Sequence, residues 1–215
     1  DIEETVRLAL ANGYQLCVHA IGDRANRETL DLFERAFRSA RSGQELRWRI
    51  EHAQHLSPED IPRFARLGVI ASMQAIHASS DAPYVLDRLG PRRAEEGAYM
   101  WQALMRSGAV IASGTDAPVE DLDPIANYHA AVTRETREGR AFYPAQRMSR
   151  MEALRAATFN GAYAAFQEES RGSLAAGKLA DMAVLSQDIT SVDAARIRET
   201  RVDYTIVGGR IAYRR

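Results

Sequence analysis

The sequence predicts an α/β fold: a parallel sheet built from strand–helix units, closed by a small β tail. Three observations predict it. Apolar runs of strand length alternate with segments of helical periodicity over residues 1–169. Polar residues able to bind a metal recur where those strands end. From about Ser170 the alternation gives way to Gly-punctuated short strands. Residues 1–169 and 170–215 are therefore expected to be separate domains.

The first strand is expected over residues 14–20, YQLCVHA. A helix follows over residues 23–40, with Leu30, Phe33 and Phe37 on one stripe and Asp23 at its N-cap. The second strand covers residues 46–53, LRWRIEHA. Alternation puts Arg47, Arg49 and Glu51 on one face and Trp48, Ile50 and His52 on the other. A buried Arg49–Glu51 pair or a wet interior would each accommodate this. Ser57, Pro58 and Asp60 read as a capping box opening the next helix, although Pro62 allows a later start.

The third strand is GVIASMQ, residues 68–74. Residues 75–93 read as a long loop, the kind of connection that is usually functional. A helix follows over residues 94–107, then a fourth strand over residues 109–114. Asp123 and Pro124 read as N-cap and first residue of a helix, and Ser149 with Glu152 as a capping box. In the tail, residues 182–185 form a strand, and Gly208-Gly209 turns a hairpin. Strand–helix units imply a parallel sheet with right-handed crossovers. They leave a doubly wound sheet and a barrel both open.

Composition narrows the function. Hydrophobic residues make up 46% and charged residues 27%, a soluble globular balance with a formal net charge of −1. No nucleic-acid partner and no membrane partner are expected. A single cysteine, Cys17, excludes an intrachain disulfide and fits a reducing, cytoplasmic setting; it reads as a small core residue. The opening DIEETVRLAL is acidic and helical and does not have a leader's pattern. The chain opens at Asp1 without Met, so the natural start is expected upstream.

His19 ends the first strand, His52 ends the second, and Asp116 follows the fourth in SGTDAP. The C-terminal strand ends of a parallel α/β fold share one mouth, where sites form. Imidazole and carboxylate are sound ligands for Zn²⁺ and related ions. A strand-end His can also simply close a hydrogen-bond network. Elsewhere, His55 reads as orienting the loop before Ser57, and His129 as packing on a helix stripe.

VHAIGD, RIEHAQ and SGTDAPV, in this order, resemble the metal-dependent amidohydrolase superfamily, most closely its amidohydrolase family 3 branch. ATFNGAYAAF followed by RGSLAAGKLADMAVL looks like that superfamily's closing helix and its return to a β-sandwich. The resemblance implies the C-terminal half of a TIM-type (β/α)8 barrel, strands five to eight, plus part of a small β-sandwich tail. It implies a divalent metal cofactor, one or two ions, with zinc the expected metal. His19 and His52 correspond to metal ligands, and Asp116 to a ligand that is also the catalytic general base. His77 and Asp81 correspond to a His and an Asp often found after the third of these strands, and are expected substrate contacts.

The family's His-x-His pair and its bridging Lys or Glu have no counterpart in these 215 residues. The implied function is the C-terminal part of a hydrolase cleaving amide-type, non-peptide carbon–nitrogen bonds with metal-activated water. Another metal-dependent hydrolase or an isomerase stays open. The competing expectation is an inactive fragment or a split-barrel subunit. The expected partners are a small-molecule substrate and the missing N-terminal half of the barrel. The open sheet edges of a half barrel also favour association into a homo-oligomer.

Overall fold

The computed structural model describes residues 2–40 and 45–215. The contacts group the chain into two compact units. The first comprises residues 1–74 and 80–112, the second residues 75–79 and 113–215.

The first unit opens with helix α1 (Ile2–Asn12), strand β1 (Cys17–Ala20) and helix α2 (Asp23–Phe37). Strand β2 (Arg49–His52), helix α3 (Ile61–Leu67) and strand β3 (Ile70–Met73) follow. Helix α4 (Ala75–Gly97) enters this unit at Ser80, and helix α5 (Trp101–Arg106) leads to strand β4 (Ile111–Ser113). The sheet order is β1-β2-β3-β4, with β1–β2 and β2–β3 parallel.

Helices cover one face of this sheet because the strands offer them Ile50, Ala71 and Met73, all buried. Trp48, just before β2, is fully buried. Its ring meets Phe33 at 5.0 Å and Phe37 at 5.1 Å, and its indole N–H donates to the Tyr14 carbonyl at 3.0 Å. Each such aromatic pair adds about 0.5–1.5 kcal/mol beyond its burial. Gly68 closes α3 in the left-handed region (φ 66°), where a residue with a Cβ would be strained.

Several local expectations change. The N-cap of α2 is Gly22, not Asp23. Asp23 instead accepts from the Arg24 N–H at 2.9 Å and from Arg93 at 2.7 Å. Ser57 and Asp60 form no capping box, and α3 starts at Ile61. The reason is electrostatic: the buried Asp60 carboxylate is held by Arg27 at 2.8 Å and Arg63 at 2.9 Å, so it does not turn back onto the helix. Arg63 also binds Asp31 and Glu34 and so ties α3 to α2.

Residues 75–93 are not a loop. They lie in α4, which bends at Gly90 (φ 74°) before Pro91. Buried Ala75, Ala78, Ala82 and Val85 recur at helical spacing along it. The helix expected over residues 94–107 divides between the end of α4 and α5.

The second unit contains helices α6 (Pro124–Thr133), α7 (Arg150–Ala157) and α8 (Phe159–Ala164), and strands β5 (Met182–Leu185), β6 (Val202–Val207) and β7 (Arg210–Arg214). Both predicted caps form. Asp123 accepts from the N–H groups of Ile125 and Ala126, and Ser149 with Glu152 makes a reciprocal capping box. The strands form their own antiparallel sheet, β5-β6-β7, with the β6–β7 hairpin turning at Gly208-Gly209. The first turn of α4, residues 75–79, belongs to this unit. The Ile76 N–H donates to Asn127 at 2.9 Å and the Ser79 hydroxyl to the Glu135 carbonyl at 2.5 Å. No helix among the described residues is long and apolar enough to cross a membrane.

Candidate metal centre

In-register partners on parallel strands share a face. Cys17 pairs with Arg49 and His19 with Glu51, so these four side chains stand on the face that the helices leave open. Cys17 is exposed there and is not a core residue. The reason is its face: it sits two residues before His19, opposite the face that meets the helices. The Arg49–Glu51 alternative also resolves. The two side chains pair at 2.9 Å, half-buried, with Arg49 also bonded to the Gln15 side chain at 3.0 Å.

His52 pairs with Ala20, which assigns it to the opposite, helix-covered face. Yet its ring lies with its centroid 4.5 Å from that of His19, in an edge-on arrangement. The backbone accounts for this. His52 ends β2 with φ 77°, and Ala53 follows at φ 45°. A left-handed residue breaks the pleat, so the side chain leaves the face that alternation gives it.

The loops behind the pair are fixed by backbone bonds. The Ala53 N–H donates to the Ala20 carbonyl and the His55 N–H to the Ile21 carbonyl, both at 3.0 Å. Fully buried Asn26 on α2 reaches the carbonyls of Ala20, Ile21, Gly22 and His55 with one amide nitrogen. His52 is itself only 9% exposed, and its Nδ1 lies 2.9 Å from Gln74 Oε1. His55, whose ring packs edge-on against Tyr99, is held below the ordinary histidine pKa by burial, with Asp81 and Asp23 opposing.

Asp81, in the first unit, sits at the centre of a hydrogen-bond cluster. Its carboxylate accepts from Gln54 at 3.0 Å, from Tyr84 at 2.5 Å and from Tyr99. Burial, and then the Asp81 charge, hold the Tyr99 phenol far above its ordinary pKa, so it remains a donor.

His77 and Asp116 belong to the second unit. His77 is buried in the first turn of α4. Asp116 is exposed three residues past β4, in the left-handed region at φ 59°, and its carbonyl accepts from the Val119 N–H at 2.8 Å. Asn127 braces the same unit: its amide donates to Ser113 at 3.0 Å and accepts from the Ile76 N–H. The structure thus brings His19 and His52 together within one unit. Among the described residues no group of three or more His, Cys, Asp or Glu side chains is set to hold a metal.

The donor chemistry fits a divalent ion such as zinc: two imidazoles side by side, one anchored through its second nitrogen. Asn26, Gln54, Gln74, Tyr99 and Asn127 went unseen as supports in the sequence. Gln74 carries the one signal that could have found it, since it closes the third strand just as His19 and His52 close theirs.

The family model for the amidohydrolase family matches residues 1–213. The chain belongs to this family. Within the metal-dependent amidohydrolase superfamily it falls in the family 3 branch. It is 39% identical over 203 residues to the Arabidopsis thaliana protein LONG AFTER FAR-RED 3, covering 94% of this chain and 34% of that protein. It is 34% identical over 211 residues to the putative amidohydrolase YtcJ of Bacillus subtilis strain 168, covering 97% of this chain and 39% of that one. Among solved structures, an uncharacterized metal-dependent hydrolase from Pyrococcus horikoshii OT3 is similar with a TM-score of 0.76 and 28% identity, over 90% of this chain and 38% of its own. The amidohydrolase chain therefore spans a little over a third of the length of these relatives.

Proposed function

We propose that this chain forms the C-terminal half of a TIM-type barrel, strands five to eight, with part of a β-sandwich. It serves a hydrolase of amide-type, non-peptide carbon–nitrogen bonds in a small-molecule substrate. The observation that supports this reading is the meeting of the His19 and His52 rings, achieved through a backbone conformation that alternation alone would not give. In this reading His19 and His52 hold a divalent metal, with zinc the best match to two imidazoles. Asp116 is the third ligand and the general base. When bound, such an ion would supply an acidified water and polarisation of the scissile carbonyl. The chain's own residues would orient and move protons: Asp116 would accept a proton from the attacking water and return it to the leaving nitrogen. His77 and Asp81 face substrate.

The proposed partner is the upstream half of the barrel, and one measurement tests both. The chain is assayed with zinc on a panel of small amides, alone and joined to the upstream portion found in its longer relatives. The expected outcome is turnover only in the joined form, lost on His19→Ala, His52→Ala or Asp116→Asn. Turnover by the chain alone, or an Asp116→Asn variant as active as its parent, would overturn the proposal. The second reading, an inactive fragment or a split-barrel subunit lacking the upstream His-x-His ligands, is favoured by the lack of a three-residue metal group among the described residues. As a fragment that stays inactive, it predicts no turnover in either form; as a split-barrel subunit, it predicts turnover when the upstream portion is added as a separate chain.

A further inference from the structure

Gln74 stands at the N-cap of α4 but makes no side-chain cap to that helix. It is buried, 7% exposed, so its amide must find partners inside the protein. Those partners differ in kind. The Nε2 group lies 3.4 Å from the Ser72 carbonyl, which can only accept. The Oε1 atom lies 2.9 Å from His52 Nδ1. Exchanging the amide's ends would set its oxygen against the Ser72 oxygen and its NH₂ against the imidazole. The Ser72 carbonyl therefore fixes the direction of the amide, and the amide fixes the state of the ring.

We propose that Gln74 is a positioning residue that holds His52 as the Nδ1–H tautomer, so that Nε2 carries the ring's lone pair. The tautomer claim stands on hydrogen-bond chemistry alone, and its consequence for metal affinity rests on the metal-site reading above. An imidazole binds a metal through the nitrogen that bears its lone pair, and the bond made by the other nitrogen sets ring angle and basicity. Gln74 does this from β3's end of the sheet, so three adjacent strands contribute to the pair.

The test uses the full chain, metal-free and labelled with ¹⁵N in histidine. Long-range ¹H–¹⁵N correlation above pH 8 reports which ring nitrogen carries the proton, and His52→Asn assigns the signal. The wild type is expected to show His52 protonated at Nδ1. Gln74→Met, which removes the acceptor, should shift it toward Nε2–H, and Gln74→Glu, which keeps an acceptor, should restore Nδ1–H. Zinc affinity, read by competition with a chromophoric chelator, should fall about 10–100-fold in Gln74→Met. It should be largely retained in Gln74→Glu.

A wild-type ring protonated at Nε2, or a ring unchanged by Gln74→Met, overturns the proposal. Should Gln74→Met fail to fold, the wild type and Gln74→Glu still decide the tautomer. A shifted tautomer with unchanged zinc affinity overturns the positioning role. Zinc binding indifferent to both His52→Asn and His19→Asn would bring down the metal reading instead.

Discussion

A side chain with a Cβ held in the left-handed region costs about 1–2 kcal/mol relative to glycine, and His52 sits there at φ 77°. The usual ranking of small residues in a strand should therefore invert at this position. His52→Gly is expected to be more stable than His52→Ala by about 1 kcal/mol, and urea melts of the two variants check it; an alanine variant at least as stable would show that no strain is stored. Asp81 makes a different case. Three donors converge on its carboxylate, and Asp81→Ala leaves Gln54 and the buried Tyr99 hydroxyl without that acceptor. The expected loss is about 1–3 kcal/mol of stability, measured by chemical denaturation. At this scale strand-end position singled out His19 and His52, whose ring centroids the structure sets 4.5 Å apart. Alternation alone gave no sign of how the His52 ring comes beside His19, because it carries no record of a backbone dihedral.

Among the elements, caps held by neighbouring residues could be read, and caps exposed to distant competition could not. Ser149 and Glu152 satisfy one another within a single turn. Ser149→Ala should cost about 1 kcal/mol, visible as a lower thermal midpoint. Asp60 looked equivalent, but Arg27 lies 33 positions away and claims its carboxylate. Helix α4 was hidden by Pro83, Gly90 and Pro91, which punctuate a sequence like a loop even though buried Ala75, Ala78, Ala82 and Val85 keep the helical stripe. Its end depends on a bare backbone. A Cβ on Gly97 would stand 2.4 Å from the Leu56 carbonyl oxygen, beside the bond from the Leu56 N–H to the Gly97 carbonyl. Gly97→Ala is expected to displace the segment after β2 and cost about 1–3 kcal/mol, read from the denaturation midpoint and from faster amide exchange at Leu56.

For the whole molecule, each unit contains a histidine whose pKa burial holds down. His55 lies in the first, and His129 in the second, where Arg198 adds to the effect and Glu135 opposes it. The His129 Nδ1 accepts from Arg198 at 3.1 Å, which requires the neutral ring. A histidine with a depressed folded pKa binds its proton more readily once unfolded. Stability is therefore complete above the unfolded value of about 6.5 and is lost as the pH falls from there toward the folded value. Glu34, whose pKa is lowered chiefly by its hydrogen bond with Arg63, adds a further loss only below the usual carboxylate range. Denaturation midpoints should therefore decline as the pH falls from about 6.5 toward 5, and His129→Gln should flatten that decline. An unchanged slope would mean that His129 titrates alike in both states.

The division of α4 between two units has a consequence for the order of synthesis. Residues 75–79 find their hydrogen-bond partners at Asn127 and Glu135, 51 and 56 positions later in the chain. At translation rates of about 5–20 residues per second, that first turn waits roughly 3–10 seconds for its partners to be made. The α4 residues beyond it can meet Gln54 as soon as Asp81 and Tyr99 have emerged. The partners of one helix thus become available at two times, those of its C-terminal portion first, and a ribosome paused before Asn127 would carry the first turn without these two hydrogen-bond partners.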